Sequence, residues 1–337
     1  MSEKMRVMSW NVNGIKARWP RLSELLRNEA PDVLCLQETR CTDKCFPRRQ
    51  LHELGYHAQH SAGYDGNGGV AMLVRADHRV RGRNLVLGRS RGIGEGRWLE
   101  VNLKGLTIGT VYVPAGPLRM EREDSAKRGF LAALARQACE QQDRPLLIAG
   151  DFNIAPADID VYEPAWLEGS SHTAPGERTD LREVLEQGGM VDAYRHLHPF
   201  DSGFTCWDQR EGHYARDYGL RIDLMLVSSK MADHVASCDV AHTYRQGRRP
   251  SDHAPVELLI DDLQQCVRSV RSTKTFTRPK LVGLPSLAEA KPAAVQAPVA
   301  AQAQTITKQA MDTGLAQVIE LRPTVEPSPV RELALAA

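Results

Sequence analysis

Residues 146–156 read LLIAGDFNIAP. Leu146 to Ala149 form a short apolar run between Pro145 and Gly150, and the composition predicts a strand over Pro145–Ala149. Asp151 and Asn153 follow at once. A carboxylate left unpaired against an apolar core is costly. Carboxylates and amides gathered where strands end instead suit a hard cation with oxygen ligands. The same pattern recurs on either side. Met5–Trp10 alternates and predicts a strand, followed by Asn11 and Asn13; Asp32–Gln37 is an apolar strand, followed by Glu38. Asp223 stands inside the apolar run from Leu220 to Leu226, and Asp252 and His253 precede a closing strand. Taken singly, each is a weak sign, because Asp, Asn and Gly are ordinary turn formers after strands.

The remaining elements follow from spacing. Trp19, Leu22, Leu25 and Leu26 form one stripe of a helix over Arg18–Asn28, opened by Pro20. Gly69–Val74 is a further strand. Trp98–Leu103 and Leu106–Val113 form a hairpin around Lys104-Gly105. A helix is expected over Glu123–Gln142, with Phe130, Leu131, Leu134 and Ala138 inward, and strands over Ile222–Val227 and Val256–Ile260. Many apolar strands with few helices between them imply packed sheets covered by helices.

The 337 residues carry 42% apolar and 25% charged side chains, which excludes collagen-like, wholly disordered and disulfide-framework chains. Seven cysteines without a Cys-x-x-Cys pair fit a reduced, cytosolic protein. Neither a signal core nor an 18-residue apolar run is present, so no membrane association is expected. Composition changes near residue 262. Of the aromatic residues only Phe276 lies beyond it, residues 263–280 are basic without an acid, and 288–304 is rich in Ala. One domain is therefore expected over 1–262 and a mostly disordered tail over 263–337, with a short helix near 307–321. The tail has a net charge of +4, which leaves the first 262 residues at −3 out of a total of +1. Bulk coating of a polyanion is excluded, but a local basic groove is not.

In order, the blocks SWNVNG (9–14), LQETR (36–40), YVPAG (112–116), GDFNIAP (150–156), GLRIDLMLVS (219–228) and SDHAPV (251–256) resemble the exonuclease III / abasic-site endonuclease family of the endonuclease–exonuclease–phosphatase superfamily. The match runs from about Met5 to Ile260 and leaves the tail uncovered. The resemblance implies an α/β (α+β) fold, a four-layer αββα sandwich of two packed mixed β-sheets flanked by helices, with the site at one rim of the sheets. It also implies a Mg²⁺ cofactor, with Mn²⁺ as a substitute. Glu38 would be the principal ligand, and Asn11, Asp151, Asn153, Asp252 and His253 would stand around the metal or phosphate. Tyr112, Asp151, Asn153, Asp223 and His253 match the catalytic set: Asp223 orients His253, Asp151 handles the proton of the water or the leaving group, and Tyr112 and Asn153 donate to phosphate. Asn13, Arg119, Lys127, Cys206 and Trp207 match substrate-contacting positions. Asn13 stands where some members have Asp.

Two departures bear on substrate choice. Relatives often have an amide three residues after the tyrosine, where this chain has Ala115; relatives place an aromatic residue in the pocket for an extruded abasic sugar, where this chain has Cys206 beside Trp207. The implied activity is hydrolysis of duplex DNA, by incision 5′ to abasic sites and by 3′-5′ exonuclease and 3′ end-cleaning action, on abasic or 3′-blocked DNA. The implied enzyme is a cytoplasmic, nucleoid-associated monomer. The alternatives are a superfamily phosphodiesterase acting on RNA or a lipid headgroup, and a non-catalytic nucleic-acid-binding regulator.

Overall fold

Alternate residues of Leu146–Asp151 enter different cores. Leu147 and Ala149 pack into one apolar cluster, and Leu146 and Ile148 into another. Side chains alternate across a strand, so a strand apolar on both faces must be covered on both. The computed structural model describes residues 3–78, 80–84, 95–116, 125–167, 170–209 and 212–271. Its strands are β1 (Met5–Asn11), β2 (Val33–Gln37), β3 (Tyr56–Ser61), β4 (Val70–Arg75), β5 (Val80–Asn84), β6 (Trp98–Leu103) and β7 (Leu106–Tyr112). They continue with β8 (Leu146–Asp151), β9 (Met190–Asp192), β10 (Cys206–Trp207), β11 (Gly219–Leu220), β12 (Asp223–Ser228), β13 (Val235–Val240) and β14 (Val256–Ile260). The helices are α1 (Trp19–Asn28), α2 (Arg48–Glu53), α3 (Ser125–Glu140), α4 (Pro164–Leu167), α5 (Pro175–Gly188), α6 (Ala193–Leu197) and α7 (Leu263–Arg271).

Two six-stranded sheets form, in the orders β13-β14-β1-β2-β4-β3 and β5-β6-β7-β8-β12-β9. Each is antiparallel except for one pair, β1/β2 and β7/β8, and those pairs are joined through α1 and α3. Parallel neighbours need such a crossover. Val7, Val33, Cys35 and Met72 of the first sheet meet Val101, Ile108, Leu147 and Met225 of the second in one core. The opposite face of the first sheet carries Met8, Trp10 and Leu34 against α1 and α2. The opposite face of the second carries Val111, Leu146 and Ile148 against α3 and α5. The order is therefore helix, sheet, sheet, helix.

The hairpin forms at Lys104-Gly105, both with positive φ (+51° and +95°), as a tight turn between twisted strands requires. β8 runs two residues beyond the expected strand and ends on Asp151 itself. A Cβ on Gly150 would lie 2.0 Å from the Val111 carbonyl oxygen, so only glycine allows this approach of β8 to β7. α5 is an element the periodicity reading omitted. It opens with a proline in its first turn and stops at Gly189, whose φ of +59° ends the helix.

The boundary expected after residue 262 is corrected. Leu263, Cys266, Val267 and Val270 repeat at helical spacing and are buried in the inter-sheet core beside Met231 and Val235. The first compact unit runs from Met1 to Phe276. The remaining tail, with the helix expected near 307–321, lies outside the described residues. Among the described residues no helix is long and apolar enough to cross a membrane.

Candidate active site

Three neighbouring strands of the second sheet end together. Tyr112 pairs with Asp151 across β7/β8, and Asp151 pairs with Asp223 across β8/β12. In the first sheet Asn11 pairs with Gln37 across β1/β2, and Glu38 follows where the chain turns away at φ +50°. A left-handed glutamate is uncommon and costs roughly 1–2 kcal/mol, so Glu38 is held there by its partners. Asn11 Nδ2 donates to Glu38 Oε1 at 3.2 Å and to Asp151 Oδ2 at 2.9 Å. Tyr112 Oη donates to Glu38 Oε1 at 2.8 Å, and Arg40 Nε to Glu38 Oε2 at 2.7 Å. Just beneath, the buried Gln37 amide donates to Ser9 Oγ and Thr110 Oγ1, one in each sheet.

His253 arrives from the loop before β14. Its Nδ1 donates to Asp223 Oδ2 at 2.7 Å, and Thr205 Oγ1 donates to the same oxygen at 2.6 Å. The Trp10 indole donates to the His253 carbonyl at 3.1 Å. Asn13 Nδ2 donates to Asp252 Oδ1 at 2.8 Å. The Asn153 amide N–H donates to Asp151 Oδ1 at 2.8 Å, and its side chain to the Val113 carbonyl at 3.0 Å.

These contacts set the charges. Burial pushes the Asp151 carboxyl up to about 7; the carboxylates of Asp223 and Glu38 add to this, while His253 and the Asn11 amide oppose it. Burial alone would lower His253, but Asp223 outweighs it, followed by the Cys206 thiol, and the imidazole stays well above its usual range. Burial also works to raise Asp252, yet His253 and the Asn13 amide hold it below the usual carboxylate range. Burial pushes the Tyr112 phenol up, helped by Glu38. The rim therefore holds a charged imidazolium, a neutral phenol and a carboxyl poised to exchange a proton.

Two open cavities flank the rim. One, of about 740 Å³, is bordered by Asn13, Asp252, Cys206, His172, Tyr162 and Tyr218. The other, of about 500 Å³, is bordered by Glu38, Tyr112, Arg97 and Tyr64. Arg40 lines both.

Residues 8–253 match the sequence pattern of the Endonuclease/Exonuclease/phosphatase family. The chain belongs to that family. It is 34% identical over 266 residues to the exodeoxyribonuclease III of Haemophilus influenzae, covering 75% of this chain and 98% of that one. It is 29% identical to the DNA repair nuclease APEX1 of Danio rerio, covering 76% of this chain and 82% of that one. Among solved structures, the 3′-5′ exonuclease of Neisseria meningitidis is 32% identical with a TM-score of 0.70, covering 76% of this chain and all of that one. An AP endonuclease from Archaeoglobus fulgidus is 28% identical with a TM-score of 0.70, covering 76% of this chain and 99% of that one.

Asn11, Asn13, Glu38, Tyr112, Asp151, Asn153, Asp223, Asp252 and His253 thus come together at one rim of this family fold. Cys206 faces the larger cavity and bridges to His253 through the backbone. Trp207 does not join it, and its expected substrate contact is corrected. As the next residue of the strand it points the other way, is 1% exposed among Phe204 and Ala254, and donates to Asp217 at 2.9 Å. Lys127 is likewise corrected. It is 1% exposed, pairs with Glu177 at 2.8 Å and donates to the Asn153 carbonyl at 2.8 Å, so it braces the Asn153 turn from behind. Arg119 lies outside the described residues. Ala115 offers only its carbonyl, which receives the Ser171 hydroxyl.

The sequence reading missed Thr205, Arg40, Arg18, His172 and the two tyrosines of the larger cavity. Arg40 closes the block LQETR two residues after Glu38, and Thr205 directly precedes Cys206, so both stand next to or near residues already singled out. The tyrosines lie far apart in the chain and meet only because Val161 bridges to Leu220.

The donor set fits a cation. Asp151, Asp223 and His253 crowd within 4.8 Å of one another, but His253 is charged and bonded to Asp223, so the oxygens left for a cation are those of Asp151 and Glu38. Among the described residues Asp223 Oδ1 is buried without a hydrogen-bond partner. The Asn11 amide lies between the Glu38 and Asp151 carboxylates and donates to both, while its oxygen accepts from the Asn13 N–H at 3.0 Å. Oxygen ligands from few protein carboxylates suit Mg²⁺ better than a soft metal.

Proposed function

We propose that this protein is a Mg²⁺-dependent DNA repair nuclease that hydrolyses phosphodiester bonds of duplex DNA. On this reading it incises 5′ to abasic sites and removes 3′ nucleotides and 3′ blocking groups, and Mn²⁺ substitutes for Mg²⁺. The active species is a monomer working in the cytoplasm, at the nucleoid. The observation that carries the proposal is the register of Tyr112, Asp151 and Asp223 at adjacent strand ends, facing Glu38 and Asn11, with His253 bonded to Asp223. The named relatives support it by what they are: an exodeoxyribonuclease III and a DNA repair nuclease.

Glu38 and Asp151 would hold the ion, with Asn11 bonded to both. When bound, it neutralises phosphoryl oxygens and makes a water more acidic. The chain's own residues supply the rest. The His253 imidazolium, kept charged by Asp223, donates to a non-bridging phosphate oxygen as negative charge builds there. The Tyr112 phenol donates beside it. Asp151 exchanges one proton: water adds to phosphorus, the P–O3′ bond breaks, and the departing 3′ oxygen ends as a hydroxyl. Asn153, braced by Lys127, holds the Asp151 carboxyl through its backbone N–H.

An end-labelled duplex with one central abasic analogue tests this, run with Mg²⁺ and with EDTA beside an intact duplex. A single Mg²⁺-dependent cut at the lesion is expected despite Ala115 and Cys206. A 3′ ladder on both duplexes without a preferred cut would remove the abasic specificity, and no cleavage in either would remove the nuclease assignment.

A further inference from the structure

Tyr162 and Tyr218 stack face to face, with ring centroids 4.8 Å apart and planes 15° from parallel. Both line the larger cavity, at the wall that also carries Cys206 and Leu220. His213 stands edge-on to Tyr218 at 5.8 Å. The backbone fixes the pair: Val161 bridges to Leu220, and the Tyr162 N–H donates to the Gly219 carbonyl at 3.1 Å. The chemistry at the rim uses none of these rings. Cys206 and Leu220 line the same cavity. The cavity measures about 740 Å³; the inner faces of the two rings cover each other and Arg216 stands over the Tyr218 ring at 5.9 Å, which leaves an outer face of the pair as a flat π surface of the kind on which any nucleobase stacks.

We propose that the Tyr162–Tyr218 stack is a nucleobase platform. It holds the base of a 3′-terminal nucleotide while that nucleotide's 5′ phosphodiester lies at the His253 rim, so base-bearing 3′ ends are preferred over base-free ones. This rests on the nuclease reading above and adds the substrate class that its larger cavity selects. The platform accepts every base and favours purines, because stacking follows ring area rather than a hydrogen-bond pattern.

The test compares two duplexes that need the same bond broken. One ends in a 3′ nucleotide with its base, and the other ends in a 3′ tetrahydrofuran residue. For each enzyme the quantity read is the ratio of kcat/KM on the two ends, so a partly inactive preparation cancels. Tyr162→Ala and Tyr218→Ala are expected to lower that ratio about tenfold, and Tyr218→Phe to keep it. Tyr218→Leu, which preserves apolar bulk, covers the case in which an alanine variant does not fold, and is expected to lower the ratio as well. A ratio unchanged in the variants that lack the ring would overturn the platform while leaving the nuclease reading intact. Release of neither end by the unaltered protein would overturn the nuclease reading itself.

Discussion

His172 is a half-buried base at the border of the larger cavity that the fold keeps neutral. Its Nδ1 meets the Asn153 carbonyl at 2.8 Å, and burial pushes its imidazole down to about 4, helped by Lys127 and His253 and opposed by the Asn153 carbonyl. The unfolded chain binds a proton at an ordinary histidine pKa near 6.5, whereas the folded chain does not until about pH 4. The unfolded state therefore holds more protons between these values, and stability rises with pH through that window. The contribution is complete above about pH 6.5 and is lost as pH falls toward 4, a total of about 3 kcal/mol. Denaturant unfolding of His172→Gln beside the parent protein at several pH values should show the parent losing about that much more between pH 6.5 and 4. Parallel stability curves would show that His172 takes up its proton in the folded state. Asp151 is raised for the same first reason, burial, but as an acid, so it responds in the opposite sense. That opposition is why the variant difference is the quantity to compare.

At the scale of elements, strands were far more legible than their edges. The apolar run of β8 was plain in the sequence, but its last two residues were not, because Gly150 signals a break unless the nearness of Val111 is known. α5 does not show as a periodic stripe although a proline opens it and Gly189 closes it, since its polar outer face hides Leu181 and Val184. α7 was lost to composition. Gln264, Gln265 and Arg268 give the stretch the polarity of a tail, while Leu263, Cys266, Val267 and Val270 form the stripe that seals the inter-sheet core. A chain ending at Asp262 should therefore be less stable than the whole by at least about 3 kcal/mol, from the apolar surface α7 covers, whereas one ending at Phe276 should keep the parent's unfolding midpoint. Equal midpoints for the two truncations would remove α7 from the folded unit.

For the whole molecule, charge and site belong to different parts. The first 262 residues carry a net −3, so affinity for DNA has to come from cations placed locally at the cavities. Arg18 and Arg40 line the larger one, and Arg40 and Arg97 the smaller. Among the described residues Arg18 Nε is buried without a hydrogen-bond partner, and one terminal nitrogen donates to the Pro250 carbonyl. Duplex binding followed by fluorescence anisotropy should weaken linearly on a log–log plot against salt, and Arg18→Ala should reduce the slope by about 0.9, the value of one phosphate contact. An unchanged slope would place Arg18 outside the DNA path. The rim itself was legible in the sequence because each of its residues adjoins an apolar strand or the closing loop. The cavity beyond it was not, because Tyr162, His172 and Tyr218 sit in loops whose meeting depends on the bridge between Val161 and Leu220. Lys127 and Trp207 depart from expectation for a related reason. Their residue types suit DNA, but the fold turns both inward, onto Glu177 and Asp217.

The central claim is that the rim cluster cuts DNA rather than merely holding it. Single-turnover cleavage of an abasic duplex by His253→Ala, with binding of the same duplex measured in parallel, tests it most directly. The account predicts a rate lower by roughly 10²–10³-fold with duplex affinity retained. Undiminished turnover by His253→Ala would contradict it.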